Sequence, residues 1–224
     1  MLAAATSTAL RILIFQGSTR IDGPPRPARV GERVAKWAQR ALAERGHSIT
    51  VVDPVEVDLP LLRKPHFAYA RGRAPEPLNE LAQLIADAEA YVMVTPEYNH
   101  APSPALLNTV NHFGSSLFSF KPSAIVSYSQ GQWGGVRAAH SLRAPLSELG
   151  CLPVSAMVHV PNAHEAFDDS GVPTSDPDRW QSYGARTWSQ LEWWGTAAAA
   201  HRQVVDPLEA SAALTRDPSQ RNAP

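Results

Sequence analysis

The chain of 224 residues is long enough for one domain with a substantial core. Its 20 lysine and arginine residues nearly balance its 21 aspartate and glutamate residues, and the formal net charge of -1 argues against a surface built for nucleic acid or anionic membranes. The longest apolar segments have the length of strands, so neither a membrane-spanning helix nor a secretory signal is predicted.

Five apolar segments of strand length alternate with five segments of helical pattern. The predicted strands are Arg11 to Phe15, His47 to Val52, Tyr91 to Thr95, Ala124 to Tyr128 and Val154 to Val160. The predicted helices are Val30 to Arg45, Pro77 to Ala88, Ala105 to Phe113, Val136 to Leu149 and Pro177 to Arg202. The strands are continuously apolar, which is typical of a sheet covered on both faces. We therefore expect an α/β fold, with a five-stranded parallel sheet and helices on both faces, in one domain from residue 10 to 205.

Three stretches fall outside this alternation. Residues 1–9 are predicted to be a flexible N-terminus, and the polar residues 206–224 are predicted to be a disordered tail. Leu59 to Pro75 forms a long connection with three prolines and several basic residues. Long loops of this kind are usually functional or lie at an interface, and a solvated basic loop is the alternative.

The single cysteine, Cys151, cannot form an intrachain disulfide, so the chain is compatible with the reducing cytoplasm. Cys151 opens the apolar segment that leads into the fifth predicted strand and is expected to be a buried packing residue. The last predicted helix carries Trp180, Trp188, Trp193 and Trp194, which partly share one face. We expect these rings to pack in the core or against another subunit.

Three of the predicted strands end in polar loops that lead into a helix. The first loop is Gln16 to Arg20, the second is Thr95 to His100 and the third is Ser127 to Gly135. In an open parallel sheet, the loops at the carboxyl ends of the strands line one crevice where the strand order reverses. These three loops can therefore surround one ligand. The glycine-rich patterns of ATP loops and dinucleotide-binding turns and the nucleophile elbow of hydrolases are all absent from the chain.

The three loops resemble those of the NAD(P)H-dependent FMN reductase family, which includes quinone, chromate and azo-dye reductases of flavodoxin-like fold. The matching segments are Gly17 to Arg20 with Arg29 to Ala35, Pro96 to Asn99 with Leu107 and Asn108, and Gly134 to Ala138 with Leu142, Arg143, Leu149 and Gly150. The resemblance covers roughly Leu10 to His201. The segment Ile21 to Ala28 is longer and richer in proline than the family's first loop, which leaves open which basic residue meets the phosphate.

The resemblance implies a flavodoxin-like three-layer sandwich that binds FMN. It implies an oxidoreductase that passes hydride from NADPH or NADH through FMN to a quinone, free flavin, azo compound or metal oxyanion. Arginines in the first and third loops favour NADPH as the donor. The resemblance also implies a homodimer or tetramer. A flavodoxin-like electron carrier, which binds FMN without oxidising a pyridine nucleotide, is the alternative.

The predicted cofactor-binding residues follow the three loops. Ser18, Thr19, Arg20 and Arg29 are predicted to hold the phosphate, through hydroxyl groups, backbone N–H groups and guanidinium charge. Pro96, Glu97, Tyr98 and Asn99 are predicted to lie beside the flavin ring. Ser127, Tyr128, Ser129, Gly131, Gln132, Trp133 and Gly134 are predicted to meet its pyrimidine edge. We expect no dedicated proton-transfer residue and no metal ligand.

Two of these residues have a second interpretation. Glu97 can instead pair with a nearby basic group or lie at the N-terminus of a helix. Trp133 is either a lid that stacks on the site or a residue that packs against a neighbouring subunit.

Overall fold

The computed structural model describes residues 9–24, 26–70, 72–207 and 209. The predicted flexible N-terminus and disordered tail therefore lie almost entirely outside the described residues. The strands are β1 Arg11–Gln16, β2 Ser48–Val52, β3 Ala90–Tyr98, β4 Ala101–Pro102, β5 Pro122–Tyr128, β6 Leu152–Pro153 and β7 Val158–Val160. The helices are α1 Val30–Ala43, α2 Glu76–Asp87, α3 Pro104–Asn111, α4 Ser115–Phe118, α5 Val136–Glu148, α6 Ala163–Ala166 and α7 Pro177–Arg202, with a short 3₁₀ helix at His66–Ala68.

The sheet runs in the order β2-β1-β3-β5, and both β6 and β7 pair with the outer side of β5. These pairings are all parallel, and only the short β4 is antiparallel to its neighbour β3. Taken with β6 and β7 as one interrupted strand, this is the order of flavodoxin-like doubly wound sheets. The predicted parallel sheet is confirmed. Its strand order reverses between β1 and β3, so a crevice opens beside the carboxyl ends of these two strands.

The sheet is buried on both faces, as the continuous apolar strands predict. Along β1, Ile12 and Ile14 pack into one core, whereas Leu13 and Phe15 pack into the other, because successive side chains of a strand point to opposite faces. Helices α1, α6 and α7 cover the first core, and α2, α3, α4 and α5 cover the second. The edge strand β2 is the exception, since its side chains are partly exposed.

The fifth predicted strand, Val154 to Val160, is wrong as a continuous strand. Only its last three residues form a strand, β7, whereas β6 precedes it at Leu152–Pro153, and residues 154–157 turn towards α7. Gln190 on α7 accepts hydrogen bonds from the Ser155 hydroxyl at 3.0 Å and from the Ala156 N–H at 2.9 Å. These donors are therefore satisfied by a side chain of α7.

The tryptophans of α7 divide into two pairs. Trp188 is buried and Trp180 packs against the same core, where both rings contact Trp37 with centroid distances of 5.7 and 5.8 Å. Trp193 and Trp194 are exposed. None of the helices within the described ranges is both long enough and apolar enough to cross a membrane.

The long connection after β2 is held on α3. Asn108 accepts a hydrogen bond from the Leu62 N–H at 2.9 Å and donates one to the Pro60 carbonyl at 3.0 Å. The ring of His112 lies 3.0 Å from the same carbonyl. These contacts fix the start of the connection.

Burial of Lys121, just before β5, lowers the pKa of its ammonium group to about 8. The group donates to the Ile85 and Ala86 carbonyls at 2.7 and 2.8 Å. In the unfolded chain it titrates near 10.5. Between these values the native state releases a proton that the unfolded state keeps, so stability rises with pH.

We predict that the free energy of unfolding of the wild type, relative to that of Lys121→Met, rises between pH 8 and 10.5, by up to roughly 1.4 kcal/mol per pH unit. Urea unfolding at several pH values measures this difference. Lys64→Met, which removes an exposed lysine, is the control and should keep the wild-type pH profile. A parallel profile for Lys121→Met and wild type would contradict the prediction.

Candidate functional site

The carboxyl ends of β1, β3 and β5 enclose an open cleft of about 370 Å³. This volume is within the range of small-molecule sites. The lining residues come from all three of the polar loops: Ser18, Arg20, Pro24, Val30, Pro96, Glu97, Tyr98, Tyr128, Ser129 and Gln130. The cleft therefore lies where the strand order reverses.

The first loop is shaped by Gln16, the last residue of β1. Its side-chain oxygen accepts a hydrogen bond from the Ser18 N–H, and its amide nitrogen donates to the Ser18 carbonyl at 3.1 Å. The Ser18 hydroxyl in turn accepts the Arg20 N–H at 3.3 Å. A buried glutamine thus fixes the backbone that turns from the sheet into the cleft.

The two arginines predicted to hold the phosphate differ in their partners. Arg29 forms ion pairs with Asp53 and, at 3.1 Å, with Glu32. Arg20 donates to the Pro27 carbonyl at 3.3 Å and forms no ion pair with any described residue. Arg20 lines the cleft, whereas Arg29 does not. The charge available to a ligand therefore comes from Arg20.

Gly17 lies where the first loop passes close to β3 and to the start of α3. A Cβ atom at this position would lie 2.6 Å from the backbone oxygen of Val94 and 3.0 Å from the Ser103 hydroxyl oxygen. Ser103 is buried and caps α3 by accepting the Leu106 N–H. The position thus excludes any side chain, because the backbone of β3 cannot move away easily.

The second loop is a two-residue hairpin that joins β3 to β4. Tyr98 pairs with Ala101, and the residues between them, Asn99 and His100, have φ values of 51° and 65°. Two successive residues with positive φ are typical of a type I′ turn, in which asparagine is favoured. The turn therefore accounts for Asn99 without a ligand, and the predicted strand end at Thr95 is extended to Tyr98.

Glu97 joins the second loop to the helix after the third. Its carboxylate accepts the Arg137 and Ala138 N–H groups at 3.1 and 3.3 Å, and it lies 3.5 Å from the Arg137 guanidinium group. Both parts of the second interpretation of Glu97 thus hold, since it meets a basic group at a helix N-terminus. These two N–H groups are not available to a ligand.

The third loop is held in place by hydrogen bonds to the carbonyl oxygen of Gly131. This oxygen accepts the Asn162 N–H at 3.3 Å, the Gly134 N–H at 3.5 Å and the Ser129 hydroxyl at 3.0 Å. Within the described part of the chain, the N–H groups of Gly131, Gln132 and Trp133 donate no hydrogen bond. The third loop therefore carries three available donors, at residues that do not line the cleft.

Gly134 closes the third loop against β7. Its φ of 60° and the 2.9 Å that would separate a Cβ from the Val160 nitrogen both require glycine. The Gly134 carbonyl accepts the hydroxyl of Ser127 at 2.8 Å, and this hydroxyl also lies 2.7 Å from Nδ1 of His159. Ser127 is fully buried and supports the loop from below.

Tyr128 forms part of the cleft floor. Burial raises the pKa of its phenol well above the usual range, and a hydrogen bond to Ser18 opposes this rise. The phenol is therefore neutral at physiological pH and can act as a hydrogen-bond donor. It cannot serve there as a base.

The cleft brings together about half of the predicted site residues. Those that line it are Ser18, Arg20, Pro96, Glu97, Tyr98, Tyr128 and Ser129. Those that do not line it are Thr19, Arg29, Asn99, Ser127, Gly131, Gln132, Trp133 and Gly134. Pro24, Val30 and Gln130 line it although the sequence did not single them out. Gln130 lies within the predicted third loop and Val30 within the segment that resembles the family, and the proline-rich character of residues 21–28 was the signal for Pro24.

A sequence profile described as NADPH-dependent FMN reductase matches residues 10–165. A quinone reductase of Pseudomonas putida is 34% identical over 139 residues, which cover 59% of this chain and 73% of that protein. An NADPH azoreductase of a Bacillus species is 38% identical over 72 residues, which cover 32% of this chain and 40% of that protein. The solved structure of FerB, a flavoenzyme NAD(P)H:acceptor oxidoreductase of Paracoccus denitrificans, has a TM-score of 0.65 and 22% identity. The match covers 83% of this chain and 97% of FerB, and it bears out the fold.

We predict that Gly17→Ala lowers the free energy of unfolding by about 1–3 kcal/mol, because the added methyl group overlaps the backbone of β3. Urea unfolding with an unchanged m-value measures this loss. Gly131→Ala is the matched control, since its Cβ would meet only the Ser129 hydroxyl at 4.0 Å. Equal stability of the two variants would show that the first loop can move aside.

Proposed function

The chain belongs to the NADPH-dependent FMN reductase family, and we propose that it binds FMN in the cleft and uses NAD(P)H to reduce a small-molecule acceptor. The observation that carries this proposal is the convergence of three loops on one cleft that Arg20 lines, a cation with no carboxylate partner among the described residues. Relatives named quinone reductase and NADPH azoreductase make quinones and azo compounds the first acceptors to test. Free flavin and metal oxyanions are the further candidates.

The first loop has the groups that a phosphate monoester needs. Arg20 can form two parallel hydrogen bonds to phosphate oxygens, and no carboxylate among the described residues competes for it. The exposed Thr19 adds a hydroxyl group beside it. Arg29 is engaged by two carboxylates, so we assign it to holding the loop in place. This assignment answers the question that the sequence leaves open in residues 20–29.

The second and third loops suit the ring of FMN. Pro96 and Tyr98 offer apolar surface to the cleft, and the third loop contributes the polar residues Ser129 and Gln130 to its lining. Bound FMN supplies the electron-transfer chemistry, which passes two electrons from the pyridine nucleotide to the acceptor. The residues of this chain hold, orient and shield the bound group. Glu97 contributes by clamping the second loop to α5, so it is not proposed as a base.

We also propose a homodimer, or a tetramer of such dimers, in the cytoplasm. The exposed rings of Trp193 and Trp194, with 72% and 47% of their surface accessible, support an interface on α7. The single buried cysteine and the use of NAD(P)H support a reducing compartment. Size-exclusion chromatography with light scattering tests the oligomeric state.

We predict that Arg20→Gln weakens FMN binding roughly 10- to 100-fold, the value of a charge-assisted hydrogen bond. Riboflavin, which lacks the phosphate, should bind the variant and the wild type equally. Titration followed by flavin fluorescence measures both affinities. Arg26→Gln removes an exposed arginine from the same segment and is the control. An equal loss of FMN and riboflavin affinity would assign Arg20 to the loop rather than to the phosphate.

We predict that the FMN-loaded protein loses its oxidised flavin absorbance, near roughly 450 nm, rapidly when it is mixed with NADPH without oxygen. The same mixing with NADH identifies the preferred donor. Free FMN at the same concentration is the control for reduction without the protein. Tight FMN binding without reduction by either nucleotide would point to the flavodoxin-like electron carrier.

A further inference from the structure

A second cavity of about 520 Å³ lies on the other side of the third loop from the cleft. It is lined by Gln132, Trp133, His159, Pro161, Arg179, Trp180, Ser182 and Tyr183. The third loop, β7 with the residues after it, and the first turns of α7 together form its walls. Its size is within the roughly 300–1,000 Å³ of small-molecule sites.

The walls of this cavity are aromatic. Trp133 keeps 60% of its surface exposed and contacts no other aromatic ring among the described residues. Tyr183 is 40% exposed and is fixed in place, because its hydroxyl accepts the His159 N–H at 3.0 Å. An exposed tryptophan opposite a fixed tyrosine offers stacking surface to a flat ring.

Several polar side chains of the cavity have no partner within the described residues, and the positive charge among them favours binding of an anion. The side chains of Gln132, Arg179 and Ser182 make no hydrogen bond or ion pair within the described residues. Burial, with a smaller effect of His140, lowers the pKa of His159, so its ring is neutral at pH 7. Among the described residues that line the cavity, Arg179 is therefore the permanent cation, and none is a carboxylate.

The cavity is close to the cleft along the chain. Ser129 and Gln130 line the cleft, whereas Gln132 and Trp133 line the second cavity. One loop thus separates a proposed flavin site from a site with stacking surface and a single arginine. A dinucleotide whose nicotinamide reaches the cleft extends its adenosine end beyond the cleft, where a neighbouring cavity can receive it.

We infer that the second cavity binds the adenosine end of NADPH, with the adenine against Trp133 and the 2′-phosphate on Arg179. This inference rests on the proposed function and extends it by naming the donor and the residue that selects it. A guanidinium group suits a 2′-phosphate because it can donate two hydrogen bonds to the dianion. NADH presents a hydroxyl group there and gains much less from Arg179.

The first test is calorimetric titration of the FMN-loaded protein with adenosine 2′,5′-bisphosphate and with adenosine 5′-monophosphate. The bisphosphate should bind at least about tenfold more tightly, and Arg179→Gln should remove this preference. In steady-state assays Arg179→Gln should raise the KM for NADPH about tenfold or more and leave kcat and the KM for NADH unchanged. Arg186→Gln removes an exposed arginine of α7 that lines neither cavity and should match the wild type.

The second test locates the ligand. The tryptophan emission that is lost in Trp133→Phe should be quenched by acrylamide in the free protein and protected by the bisphosphate. Emission already shielded in the free protein would mean that a partner subunit covers Trp133, and this would overturn the inference. Equal binding of the two nucleotides to the wild type, or an unchanged preference in Arg179→Gln, would also overturn it.

The outcomes separate this inference from the proposed function. Rapid flavin reduction by NADPH, with no effect of Arg179→Gln on nucleotide binding or KM, would reject the inference alone. Binding of the bisphosphate that depends on Arg179, without flavin reduction by either donor, would reject the reductase function alone, because the titration needs no electron transfer.

Discussion

The capping of α5 by Glu97 holds the cleft together. This side chain belongs to the second loop, yet it accepts N–H groups of a helix that begins after the third loop. A carboxylate at a helix N-terminus is stabilised by the unpaired N–H groups and by the helix dipole. The two loops that face each other across the cleft are thus tied by one partly buried ionic contact. Glu97 is occupied by α5 and Arg137, and the cation among the described residues that line the cleft is Arg20. A ligand with one anionic end and one neutral ring suits this distribution.

The sequence predicts the layers of the fold well, because a strand buried on both faces is visible in the sequence as a continuous apolar segment. A strand covered on both sides is mostly apolar, and β1, β3 and β5 contain continuous apolar runs at residues 12–15, 90–94 and 124–126. Helix α7 was predicted at the bounds it has, since its residues Pro177 and Arg202 lie at a clear start and end. The division of the fifth strand was missed because its cause is remote. The side chain of Gln190 on α7 accepts the Ala156 N–H, and no local sequence pattern around residue 156 predicts that contact.

The sequence predicts which loops form the site. It does not predict which partners each side chain contacts there. Loop position follows from topology, since parallel strands end at one edge of the sheet. The partners of a charged side chain do not follow from it. Arg20 and Arg29 have the same side-chain chemistry, and they differ because Glu32 and Asp53, the latter directly after β2, both pair with Arg29 in the fold. Asn99 is a similar case. Its positive φ explains why asparagine occupies this position of the turn, and the composition of the loop does not show that φ value.

The third loop separates the two cavities. Its rigidity determines whether a ligand bound in one cavity can change the geometry of the other. Three hydrogen bonds converge on the Gly131 carbonyl, and Gly134 is packed against the backbone of β7. A wall held in this way does not deform easily, since any movement would break several hydrogen bonds without new partners. Nucleotide bound in the second cavity would therefore leave the geometry of the flavin site nearly unchanged. The contribution of Arg179 would then appear in the binding of NADPH and not in the rate of electron transfer. This separation is the physical reason to expect an effect on KM with a constant kcat.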